Sequence, residues 1–248
     1  MRIAKLRSCC LLFAALMLAP KLSQAQGPLA PPGPPAPTMK TLVEVEPRTH
    51  ITSLPYTIVS SGSYYLATNL NGGGTAAGII VQADGVTIDL RGFSIANCTT
   101  GISAAPGVRG VSIHNGFVRG CTGNGIDLGQ VSKCRLEQVT VCDNGGHGAS
   151  VGAAAEITLC TAAGNGGNGL MAGDAGTVFH CVAQSNNNNG IVVSSDCRVA
   201  ENTCEGNGNG LPKAGILASG GGNRVEGNHC NRNNAHGFKV DGAGNLVV

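Results

Sequence analysis

The chain has 248 residues, 39 of them glycine, no tryptophan, 3% aromatic residues, 12% charged residues and a formal net charge of +2. That composition argues against a core built on large aromatic side chains, and the lack of any basic tract or RNA-binding signature argues against nucleic acid as a partner. It suits a stack of short strands and tight turns, which needs small inward residues and many glycines.

The first 25 residues read as a secretion signal. Arg2, Lys5 and Arg7 form a basic start, Cys9 to Ala19 is an apolar run, and Ser23-Gln24-Ala25 supplies small residues for cleavage before Gln26. The run is short for a bilayer span, with an uncleaved anchor as the competing reading, and no later segment could span one. The mature chain is therefore expected to be secreted, periplasmic or at the cell surface. Nine cysteines follow, from Cys98 to Cys230. An odd number leaves at least one free or paired between chains, and without a CxxC pair no zinc site is indicated.

Residues 26–40 are a Pro-rich linker, a stiff spacer without a core of its own. Residues 41–70 carry strand-like stretches around Tyr56-Thr57-Ile58 and Tyr64-Tyr65-Leu66 and hold all three tyrosines. They are expected to form an N-terminal cap, since a stack of repeats needs a cover over its first apolar layer.

Residues 71–248 repeat. A glycine returns at Gly78, Gly101, Gly125, Gly148, Gly169, Gly190, Gly215 and Gly237, at intervals of 21 to 25 residues. An apolar strand follows most of them, and a second strand comes about ten residues later. Self-similarity at this period marks a solenoid, each unit burying its apolar face on the next. Setting the inward residue of the second strand as position zero aligns Ile88, Ile113, Leu136, Ile157, Val178, Val199 and Val225. Three residues on lie Cys160 and Cys181, then Asn202 and Asn228. Five on lie Cys204 and Cys230. Eight on lie Asn144, Asn165, Asn186, Asn207 and Asn233. With turns about 4.8 Å apart, these five asparagines are predicted to stack and hydrogen-bond from turn to turn. The stacked cysteines are near enough for a disulfide; free buried thiols are the reading preferred here.

This pattern, with Ser53-Leu54-Pro55-Tyr56-Thr57-Ile58 and Val86-Thr87-Ile88-Asp89-Leu90-Arg91-Gly92 near its start, resembles the right-handed parallel β-helix superfamily. That superfamily includes pectate lyases, polygalacturonase-type hydrolases and many secreted bacterial proteins of no assigned activity, and the last group is the nearest likeness. The resemblance implies an all-β, single-stranded right-handed parallel β-helix of about seven to eight turns. It does not fix a function.

One residue past position zero stand Asp89, His114 and Glu137, in three successive turns and facing outward, with Arg135 expected beside them. Two carboxylates and an imidazole in line suit general acid–base work, or could hold a calcium ion, the one cofactor the sequence suggests. The competing reading is a polar row that keeps the sheet face wetted. Gly146-His147-Gly148-Ala149-Ser150-Val151-Gly152 is similar to a polygalacturonase motif. However, His147 falls where the repeat places Asn168 and Asn189, there is no Asp-Asp dipeptide, and Asn202-Thr203-Cys204 lacks the acid that family needs. At the far end, counting from Gly237 places Leu246 at position zero, with an uncovered last turn open to self-association.

The function expected is a non-catalytic protein of the cell exterior, binding a polysaccharide or a cell-surface protein. The alternative is a lyase or hydrolase of an acidic polysaccharide, acting through Asp89, His114 and Glu137. A purely structural spacer role is a third reading.

Overall fold

Each inward-facing residue at position zero sits directly on its equivalent in the next turn, and that stacking builds the whole molecule. The computed structural model describes residues 45–210 and 212–248. The expected signal peptide, the linker and the start of the expected cap lie outside them. The described residues form 25 short strands, and every pairing between them is parallel. The fold is all-β, a right-handed parallel β-helix of about eight turns.

A turn begins with a strand of a nine-stranded sheet that runs from Tyr56–Ile58 to His236–Val240. The strand bearing position zero follows, in a sixteen-stranded sheet. Two residues later the backbone bends through the left-handed region at Asn115, Gln138, Leu159, His180 and Glu201 (φ 52–62°). A third short strand, such as Thr161–Ala163 or Thr203–Glu205, completes the turn. Each turn thus presents three outward faces around one core. Residues 49–66 already follow this plan: Thr49–Ile51 pairs with Gly62–Leu66, and Tyr56–Ile58 pairs with Ile79–Val81.

The predicted register holds over seven turns. Ile88 pairs with Ile113, Ile113 with Leu136, and so on to Val225, and all seven side chains are at most 1% exposed. The last turn differs from expectation. Val225 pairs with Val247, not Leu246. The turn before that strand carries one residue more than the middle turns do, as does the turn beneath it. The two stack through the Gly222 N–H on the Ala243 carbonyl at 3.0 Å, so the extra residue is repeated and the count from glycine slips by one.

The asparagine ladder is present. Asn144 Nδ2 donates to Asn165 Oδ1 at 3.0 Å, and the same bond at 2.9 Å joins Asn165 to Asn186, Asn186 to Asn207 and Asn207 to Asn233. Each Nδ2 also reaches a backbone carbonyl, and each Oδ1 from Asn165 onward accepts a second bond from the previous backbone N–H. Asn165 and Asn186 are fully buried. A buried amide is tolerable only when its donors and acceptors are engaged, and here they are. Asn202 and Asn228 form a second, shorter column at 2.9 Å.

The repeat glycine owes its place to this closeness. A Cβ on Gly148 would lie 2.5 Å from the Gly169 carbonyl oxygen and 2.8 Å from Asn165 Nδ2, so a side chain there would push the turns apart. The nine described cysteines are free thiols. Cys204 pairs in register with Cys230, and several thiols donate to backbone carbonyls, Cys98 to Ala96 at 3.5 Å, Cys160 to Thr158 at 3.3 Å and Cys181 to Phe179 at 3.3 Å. Burial pushes the Cys134 thiol up to about 11, which keeps it in the unreactive protonated form near neutral pH.

Candidate functional site

Alternation along a strand fixes which residues can meet outside the coil. Since position zero points inward, its two neighbours point outward, and parallel register then lines them up turn by turn. Asp89 pairs with His114, and His114 with Glu137, so the structure brings the three predicted residues into one row. His114 Nδ1 lies 3.7 Å from Asp89 Oδ1. Arg135 flanks the row as expected, 3.4 Å from Glu137 and 3.6 Å from Glu156.

The surroundings of Asp89 were not foreseen. Arg48 Nη1 donates to its Oδ2 at 2.8 Å, and the Arg91 backbone N–H donates to its Oδ1 at 2.9 Å. Its side chain is 15% exposed, against 33% for His114 and 37% for Glu137. Arg48 also pairs with Glu46 at 2.7 Å. That hydrogen bond holds the Glu46 carboxyl at about 2 and raises Arg48 above its usual value. Arg48 and Arg91 both lie against the Tyr65 ring, at 5.0 and 5.1 Å from its centre, and His50 stacks on the same ring at 5.1 Å. Tyr65 precedes Asp89 in the row, so the row begins with an aromatic ring in contact with two guanidinium groups. It continues past Glu137 to Thr158, whose hydroxyl is buried without a partner among the described residues, and then to Phe179.

His147 takes part in a turn-to-turn column. Its N–H donates to Asn124 Oδ1 at 2.8 Å, and its Nδ1 accepts the Asn168 N–H at 2.9 Å. Asn168 and Asn189 continue that column at 3.0 and 3.1 Å. The imidazole thus does the work of an asparagine side chain, as the repeat position predicts. Among the described residues no group of three or more His, Cys, Asp or Glu is placed to hold a metal ion.

The concave surface lies elsewhere. Two adjoining cavities of about 280 and 410 Å³ open on the third face, and both are lined by Asn69, Ser94 and Arg119. Phe117 and Arg119 on the strand Ser112–Arg119 supply part of the floor, and Thr140 and Cys142 of the next turn continue it. Sequence reasoning missed these residues. The available signal was Phe117, a large apolar residue at an outward position, 42% exposed in the structure.

A family model described as right handed beta helix region matches residues 100–248. No curated protein matches the chain. Two solved structures are similar to it. One is the crystal structure of pectate lyase Pel9A, 13% identical with a TM-score of 0.46, the match covering 81% of this chain and 66% of that one. The other is the A-module of the Azotobacter vinelandii mannuronan C-5 epimerase AlgE4, 13% identical with a TM-score of 0.38, covering 76% and 89%. At this identity the likeness is one of fold alone. No helix among the described residues is long and apolar enough to cross a membrane.

Proposed function

This chain belongs to the right-handed β-helix family, and from that premise we propose that it is an exported, non-catalytic protein that binds a polysaccharide on the outer faces of its coil. The observation that carries this reading is the state of the Asp89 carboxylate. Both oxygens already accept hydrogen bonds, from Arg48 at 2.8 Å and from the Arg91 backbone at 2.9 Å, and Glu137 lies beside Arg135. A general base must reach the proton it removes, and Asp89 is held in these two contacts with its side chain only 15% exposed; a calcium centre needs several oxygens converging on one point. Both carboxylates of the row are engaged by arginines beside it. Export rests on the basic start and apolar run of residues 1–25.

The test is a panel of acidic and neutral polysaccharides offered to the mature protein, with calcium and with chelator. Retention on one of them without new reducing ends or unsaturated products supports the reading. Products that disappear in Asp89→Ala overturn it in favour of a lyase or hydrolase acting through Asp89, His114 and Glu137. Neither retention nor products overturns it as well.

A further inference from the structure

We propose that the groove on the third face, over Phe117 and Arg119, is a subsite for an anionic saccharide, one bearing a carboxylate or a sulfate ester. The inference rests on the polysaccharide-binding reading and gives it a place and a charge.

The groove lies where the third strands of the first turns stack. Ser94 pairs with Phe117, and Ala96 with Arg119, so residues 94–96 and 117–119 lie side by side on this face. The segment at Asn69–Asn71 rises over Ser94, which is only 5% exposed. Ser94 fixes the orientation of Asn69, since its backbone N–H and its hydroxyl both donate to Asn69 Oδ1, at 2.9 and 3.1 Å. With the oxygen identified by two donors, the amide nitrogen is the free end of Asn69. Asn71 is held the same way, its Oδ1 accepting the Gly73 N–H at 2.8 Å. Two amide donors are therefore turned away from the backbone beside the cavities.

Arg119 completes the set. Among the described residues it forms no ion pair, while Arg48, Arg135, Arg198, Arg224 and Arg232 each hold a carboxylate. A guanidinium without an ion pair, lining the same cavity as two amide donors, suits an oxyanion, and its planar fork fits a carboxylate or a sulfate. Phe117, exposed beside it, offers a flat apolar face of the kind a sugar ring covers. Asp143 also lines the smaller cavity, and a carboxylate there accepts from sugar hydroxyls. The combined space, about 280 and 410 Å³, is of the size that holds one or two sugar rings. This face is distinct from the one that carries Asp89, His114 and Glu137.

The experiment is calorimetric titration of the mature protein with three probes of equal length: an oligouronate, a sulfated oligosaccharide and a neutral oligosaccharide. Arg119→Ala, Phe117→Ala and, as a control away from the groove and from the Asp89 row, Arg232→Ala are titrated alongside, each checked for native strand content. The expected result is binding of one or both anionic probes at least tenfold tighter than the neutral one. Arg119→Ala and Phe117→Ala should each weaken it by about tenfold or more, and Arg232→Ala should leave it unchanged. Which anionic probe binds tells carboxylate from sulfate. Binding indifferent to Arg119→Ala overturns the subsite and leaves polysaccharide binding standing, as does equal binding of the neutral probe. If no saccharide binds, here or in the polysaccharide panel, both readings fall. Arg119-dependent binding of an acidic peptide in place of the saccharides overturns the proposal in favour of a protein partner.

Discussion

From Asn144 to Asn233 the interior of one turn is an unbroken column of amides, each bonded at 2.9–3.0 Å to the next. Before Asn144 the same column passes to Cys121, whose backbone N–H donates to Asn144 Oδ1 at 3.0 Å, and then to Cys98. The two stretches share sheets, register and core, yet differ in what they offer outside. Where the ladder runs, three successive turns repeat at 21 residues, and a fourth, from Val199 to Val225, is longer at 26. Where thiols replace amides, the turns take 25 residues from Ile88 to Ile113 and 23 from Ile113 to Leu136, and both large cavities open on the third face. The 26-residue turn keeps its rung, Asn207 to Asn233 at 2.9 Å, so the column tolerates a change in turn length.

Removing one rung is the strongest way to break that contrast. Asn186→Ala leaves Asn165 Nδ2 and N–H without their acceptor and the Ala162 carbonyl without its donor, all in a fully buried place. The expected loss is about 2–3 kcal/mol, read from the urea midpoint. Asn233→Ala, at the half-exposed end of the column, should cost clearly less, because water replaces the lost bonds. Equal losses would show that burial does not set the strength of the ladder.

Acid should act on the outer charges and spare the ladder, which has no titrating group. The Arg48 hydrogen bond holds Glu46 at about 2, below the usual 4.5. Glu226 is lowered in the same direction by hydrogen bonds from Arg224 and then Arg198. Protons therefore bind the unfolded chain first, so these pairs add stability above about pH 4.5 that is lost as pH falls toward 2. The pairs are exposed, so the effect should be small and should shrink further in high salt. Thermal melts at pH 6, 4 and 2.5, with and without salt, measure it. A flat profile would remove these pairs from the account.

The smallest effect is expected at His147. His147→Asn keeps an acceptor for the Asn168 N–H and a donor backbone for Asn124, so stability should stay within about 0.5 kcal/mol of the parent and saccharide binding should not change. A loss of either would give the imidazole a role beyond the column.

Much of this was legible in the sequence. The positions of Ile88 through Val225, the five stacked asparagines and the place of His147 followed from counting, because a residue's inward or outward direction in a parallel coil depends only on its offset from its equivalent one turn earlier. The meeting of Asp89, His114 and Glu137 followed for the same reason. Counting failed where a turn changed length, as at Leu246 and Val247, since one inserted residue shifts every later position.

What only the tertiary structure decided lies off the repeat. Arg48 comes from before the first repeat and crosses to Asp89, a contact 41 residues apart, and no periodicity predicts it. The groove joins Asn69, Ser94 and Arg119 from three turns, through loops whose paths depend on packing. The sequence determined the coil because the coil is made of local, repeated contacts. The engagement of Asp89 and the opening of the third-face groove belong to the tertiary structure, because each depends on side chains brought together once.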